Sequence, residues 1–238
     1  FRINDKAEKL NEKDSEKYHH LTAKLLYLSK RARPDLQTAV AFLCKRVKQP
    51  DVDDWKKLGR CLRYLRGTKE LILTLESDVS GAIQWWIDAS FAVHPDMNSH
   101  TGITMSLGKG SPFSCSTSQK LNTKSTTEAE LVGVDDGMPL IIWTRNFLIA
   151  QGYKVKDNVV YQDNQSAILL ERNGRASSGR RTRHVNIRYF FVTDRVKSGE
   201  LRIEDCPTGD MSVSYPLLTL PTLLRRLSVL YPRPITTN

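Results

Sequence analysis

Apolar residues recur at helical spacing in the first third of the chain. Leu21, Leu25 and Leu28 form one stripe, Leu36, Val40, Leu43 and Val47 a second beyond Pro34, and Trp55, Leu58, Leu62 and Leu65 a third that Gly67 can close. Residues 16–67 are therefore expected to form three helices. From residue 71 the texture changes to short apolar runs broken by Gly, Asn, Pro and Ser, which predicts strands near 71–76, 82–88, 101–107 and 112–117. A helix with a Ser/Thr-rich start follows over about 125–150, with Gly133, Gly137 and Pro139 expected to weaken or kink its middle. A strand at 158–162, a helix at 164–172, the polar hinge "RNGRASSGRRTR", a helix at 184–197 and a strand at 200–205 complete the pattern. Strands first, then helices alternating with strands, imply an α/β fold: a mixed sheet flanked by helices, preceded by a small three-helix segment.

Composition adds a partner class to this outline. The 238 residues carry 36 Lys and Arg against 26 Asp and Glu, a formal charge of +10, which attracts polyanions at long range. The outer faces of the first helices are basic, with Arg31, Arg33, Lys45, Arg46, Lys48, Lys56, Lys57, Arg60, Arg63 and Arg66 able to track a phosphate backbone or simply to face solvent. No apolar run approaches the roughly 18 residues that would span a bilayer, and the first residues lack a secretion signal, so no membrane partner and an intracellular setting are expected. Cys44, Cys61, Cys115 and Cys206 form no C-x-x-C pair, so neither a zinc knuckle nor a disulfide framework is indicated. His19 and His20 have no partner at ligand spacing and are assigned no metal. The start without Met suggests a fragment of something longer.

Acidic residues fall at the ends of three predicted elements. Asp88 ends the run "AIQWWIDASFA", Glu128 and Glu130 open the long helix in "TKSTTEAELVGV", and Asp163 ends the strand in "VVYQDNQSAILL". Rigid elements can aim such ends at one sheet edge. Hard divalent cations take oxygen ligands, and a pair of them can stabilise the attacking and leaving oxygens of phosphodiester cleavage. Each carboxylate also has a structural explanation, as a strand end, a partner for a helix dipole or a helix cap. Helical spacing does not choose between Glu128 and Glu130.

The segments "YHHLTAKLLYLSKRARPDLQTAV", "WKKLGRCLRYLRGT", "WWIDASFA", "STTEAEL", "QDNQSAI" and "RTRHVNIRYFFVTDRVKSGE" occur in this order over residues 16–211. Together they resemble the C-terminal part of a copia-type LTR retrotransposon Pol polyprotein. The resemblance implies that residues 1–70 are the helical, thumb-like end of a reverse transcriptase and that 71–211 form a ribonuclease H-like domain. It also implies hydrolysis of the RNA strand of RNA/DNA hybrids by two Mg²⁺ (or Mn²⁺) ions, with Asp88, Glu130 and Asp163 as catalytic metal ligands. Family alignment alone picks Glu130 over Glu128. Ser125, Thr126, Asn164, Gln165, Arg180, Arg181, Arg183 and His184 are the implied nucleic-acid contacts, with helix capping an alternative for Ser125, Thr126, Asn164 and Gln165 and a structural part an alternative for His184. Partners would be a hybrid or other nucleic acid and the remainder of the polyprotein, in a cytoplasmic particle or the nucleus.

The pattern breaks after "CPTGDM" (206–211). There the family continues into a short helix bearing a fourth Asp, whereas this chain has no Asp or Glu beyond Asp210. Such a loss is what a shifted reading frame produces, and the proline-rich stretch 212–238 is expected to be a disordered tail. The polymerase Tyr-x-Asp-Asp motif is also missing, so no polymerase activity is expected. Two outcomes follow for the nuclease: an enzyme impaired by the missing carboxylate, or a catalytically inactive nucleic-acid-binding remnant. A transposase or integrase of the same broad fold would need a final Glu after two Asp, and the order here is Asp, Glu, Asp.

Overall fold

The three leucine stripes become α1 (Glu12–Arg31), α2 (Gln37–Lys45) and α3 (Val52–Gly67) in a computed structural model that describes residues 3–174 and 186–211. A 3-10 turn at Pro34–Leu36 joins α1 to α2. Local chemistry fixes the ends of these helices. The Asn11 side chain accepts from the Asp14 N–H at α1, and Asp51 and Asp54 form a reciprocal capping box at α3. Arg46 bonds both carboxylates, to Asp51 at 2.9 Å and Asp54 at 3.0 Å. Tyr18, Leu25, Val40, Leu43 and Leu58 meet in the core of this unit.

The predicted strand over 71–76 does not form. Only its last residue pairs, in β1 (Glu76–Ser77), because no neighbouring strand among the described residues lies beside residues 72–75. The other runs become β2 (Ala82–Ser90), β3 (His100–Ser106), a short β4 (Gly108–Lys109) that pairs with β1, and β5 (Phe113–Ser118). Beyond them come α4 (Thr126–Ala150), β6 (Asp157–Gln162), α5 (Gln165–Asn173), α6 (Asn186–Lys197) and β7 (Arg202–Asp205). The main sheet has the order β5-β3-β2-β6-β7, with β2 antiparallel to β3, β3 antiparallel to β5, and the β2/β6 and β6/β7 pairs parallel. This is the expected mixed α/β architecture.

Strand β2 alternates between half-buried and buried positions along its length. Ile83, Trp85 and Ile87 point to the core, where they meet Val134, Met138 and Ile141 of α4 and Val160 of β6. Helix α4 is continuous from Thr126 to Ala150. The helix continues through Pro139, since its neighbours Met138 and Ile141 are fully buried against the sheet and their packing outweighs the roughly 3 kcal/mol that an interior proline costs. Gly137 and Gly133 set how closely α4 lies on the sheet. A Cβ at Gly137 would stand 3.1 Å from Ile87 Cδ1 and 3.2 Å from Ile103 Cδ1.

The helical unit covers the open edge of the sheet. Gln37 of α2 donates to the Ser114 carbonyl (3.0 Å) and hydroxyl (2.9 Å), and Lys45 donates to Ser118 (2.9 Å) and pairs with Asp96 (3.3 Å). These contacts bury backbone that an edge strand would otherwise expose to pairing with another chain. All four cysteines are free thiols, and no helix among the described residues is long and apolar enough to cross a membrane. The tail 212–238 lies outside the described residues.

Candidate metal centre

The two aspartates are brought together by strand register. In the parallel β2/β6 pair Trp86 stands opposite Tyr161, and the rings stack with centroids 5.3 Å apart. Asp88 and Asp163 each lie two residues further along, on the same face as the stacked rings, where adjacent strands run about 4.8 Å apart. Glu130 approaches from the first turns of α4. One ligand oxygen from each of Asp88, Glu130 and Asp163 lies within 4.8 Å of the others.

The structure separates Glu128 from Glu130. The Ser125 hydroxyl accepts from the Glu128 N–H (3.2 Å), and the Glu128 carboxylate turns back to accept from the Lys124 N–H (2.8 Å), so Glu128 is spent on the helix start. Glu130, 4% exposed, accepts from the Ala89 N–H at 3.2 Å through Oε1. Its Oε2 is buried and has no hydrogen-bond partner among the described residues. Burial, and then the negative charge of Asp88, push the Glu130 carboxyl up to about 9.

Such a carboxyl is neutral at pH 7 unless a positive charge stands beside it. The donor set is all oxygen, one member has an orphaned buried oxygen, and three carboxylates at this spacing repel one another. A hard divalent cation relieves all three conditions, so the residues present fit one.

Several neighbours of the site were not apparent from the motifs. The Thr208 hydroxyl donates to Asp163 Oδ2 at 2.7 Å, held there because Cys206 and Met211 pack with Trp86 and Tyr161. Glu171 is fully buried on α5, and its carboxyl is raised well above the ordinary range, first by desolvation. Its negative charge would also raise the Glu130 carboxyl. Its position had a signal in the sequence: Glu171 lies three and four residues beyond the buried Ile168 and Ala167, on the apolar stripe. Asp210 does not belong to the carboxylate group among the described residues.

Of the remaining expected contacts, Ser125 and Asn164 act as helix caps, Asn164 accepting from the Ala167 N–H at 3.1 Å. Thr126 and Gln165 are the first residues of α4 and α5. Arg180, Arg181, Arg183 and His184 lie outside the described residues.

A five-stranded mixed sheet with this strand order, α4 across it and carboxylates at one end defines the ribonuclease H-like class of α/β proteins. No protein-family model matches the chain. The Retrovirus-related Pol polyprotein from transposon TNT 1-94 of Nicotiana tabacum is 30% identical over 194 residues, 81% of this chain and 14% of that protein. The corresponding polyprotein from transposon RE2 of Arabidopsis thaliana is 32% identical over 199 residues, 83% of this chain and 14% of that protein. The chain therefore belongs among the copia-type retrotransposon Pol sequences, as a homologue of one segment about a seventh of their length. Among solved structures, an LC11 ribonuclease H1 isolated from compost aligns with 54% of this chain and 86% of its own at 10% identity and a TM-score of 0.42, too distant to add to the strand order itself.

Proposed function

We propose that this chain is the ribonuclease H unit of a copia-type Pol polyprotein, hydrolysing the RNA strand of RNA/DNA hybrids with weakened efficiency. The observation that carries this reading is the convergence of Asp88, Glu130 and Asp163 within 4.8 Å. Mg²⁺ or Mn²⁺, two ions in an intact site, would supply charge stabilisation of phosphate oxygens and a water of lowered pKa. The protein's own part is positioning. Ala89 fixes one Glu130 oxygen through its N–H, Thr208 holds one Asp163 oxygen, and the Trp86/Tyr161 stack props the two strand ends that present the aspartates.

Ser125 and Asn164, with their oxygens committed to capping, keep their O–H and N–H₂ hydrogens for phosphates of the hybrid, beside Thr126 and Gln165. Arg180, Arg181, Arg183 and His184 add cationic contacts in this reading. Residues 1–70 would be the helical end of a reverse transcriptase and 71–211 the nuclease. The working environment would be an intracellular particle or the nucleus.

The weakening follows from the missing fourth carboxylate, since no Asp or Glu follows Asp210. The same absence favours the second reading, a silent nucleic-acid-binding remnant. Incubating purified chain with an RNA/DNA hybrid in Mg²⁺ or Mn²⁺ separates the two. Slow RNA-strand cleavage that disappears in Asp88→Asn and Asp163→Asn supports the nuclease. Salt-sensitive binding without any cut product supports the remnant, and cleavage that survives both substitutions rules out the site.

A further inference from the structure

A groove of the molecule lies away from the carboxylates. It has a volume of about 740 Å³ and runs between the C-terminal ends of α1 and α3 and the chain over residues 71–75. Leu28, Leu62 and Leu65 form its apolar floor, and Leu71, Ile72, Leu73 and Leu75 form one wall. Ile72 is 64% exposed and Leu75 54%.

This wall has a strand-forming sequence but no pairing partner among the described residues. "LILTL" is a strand-forming sequence, rich in large apolar residues. No backbone hydrogen bond joins Ile72, Leu73, Thr74 or Leu75 to any described residue, and pairing with β4 begins only at Glu76. The Thr74 carbonyl lies so close to Gly110 that a Cβ there would overlap it. One flank is thereby occupied by β4 and Gly110, and the other opens on the groove.

The rim is charged with one sign. Arg31, Arg66 and Lys69 line the groove and form no ion pair among the described residues, and no Asp or Glu lines it. An unpaired apolar edge takes an extended peptide by strand addition, with backbone bonds giving affinity and the side-chain surroundings giving selectivity. We infer that residues 72–75 and this groove receive an extended segment of another polypeptide in which apolar residues alternate with carboxylates. Its backbone would pair with Ile72–Leu75, its apolar side chains would fill the floor, and its carboxylates would meet Arg31, Arg66 and Lys69.

The test uses the full chain and a peptide array. Nine-residue extended peptides alternating Val, Ile or Leu with Glu or Asp are compared with the same peptides carrying Lys at the acidic positions. The acidic set is expected to bind at least about tenfold more tightly, with affinity falling as salt rises. The amides of residues 72–75 should become protected from hydrogen exchange on binding. Arg66→Glu with Lys69→Glu should reverse the preference, and Ile72→Asp should abolish binding while leaving the carboxylate site intact, as read by Mn²⁺ binding. Equal binding of both sets, or binding of neither, overturns the inference. Concentration-dependent self-association that protects the same amides without peptide also overturns it, by assigning the edge to a second copy of this chain.

Discussion

A carboxyl that is 4% exposed, beside the charge of Asp88, keeps its proton up to about pH 9. Its folded pKa is raised above the unfolded value, so the contribution of Glu130 to stability is complete below about pH 4.5 and is lost as pH rises towards 9. With divalent ions chelated, the wild type should therefore lose on the order of a few kcal/mol against Glu130→Gln between pH 5 and pH 8. Thermal melts at the two pH values check this. Added Mg²⁺ should close the gap, because a bound cation restores the charged form; parallel melting curves with and without the ion would contradict it. Asp88 and Asp163 were readable in the sequence because each stands where an apolar strand run stops. Glu128 and Glu130 were not separable by spacing, since the choice depends on which carboxylate the Lys124 and Ala89 N–H groups engage. Thr208 left no local trace: it reaches Asp163 from 45 residues away, through the pairing of β7 with β6.

Helix α4 carries Glu130 to the sheet end, and its seating depends on two glycines. At Gly137 any side chain meets Ile87 and Ile103 within 3.2 Å, so Gly137→Val should destabilise the fold by about 1–3 kcal/mol, read as a lower urea midpoint. The same variant should lose hybrid cleavage beyond what its folded fraction explains, because lifting α4 draws Glu130 away from Asp88. Unchanged stability would show that α4 does not sit on the sheet at Gly137. Helix and strand positions followed the hydrophobic pattern closely wherever an element packs on one face, as in the leucine stripes of α1 to α3 and the alternation of β2. The pattern failed at 71–76 for a physical reason, since strand propensity is realised only when a neighbour supplies hydrogen bonds. Pro139 does not end α4, where tertiary burial of Met138 and Ile141 offsets its local cost.

The α/β class was apparent from the order of elements, but the order of strands was not, because periodicity says which face is buried and not which strand lies alongside. The parallel insertion of β6 between β2 and β7 is what brings Asp163 beside Asp88. Docking of α2 on β5 was equally hidden, resting on polar contacts of Gln37 and Lys45 that no apolar pattern marks. At this scale the charge of +10 would set affinity for nucleic acid under the proposed function. Hybrid binding should weaken linearly on a log–log plot against salt, with a slope near −0.9 per phosphate neutralised for a duplex, and Asp88→Asn should leave that slope unchanged. A salt-independent affinity would remove the polyanion reading. The shared cation is tested most directly by titrating the purified chain with Mn²⁺ and counting bound ions by electron paramagnetic resonance, for the wild type and for Asp88→Asn, Glu130→Gln and Asp163→Asn. Saturable binding that weakens about tenfold or more in each single variant is the predicted result; Mn²⁺ occupancy that is the same in all four proteins would contradict it.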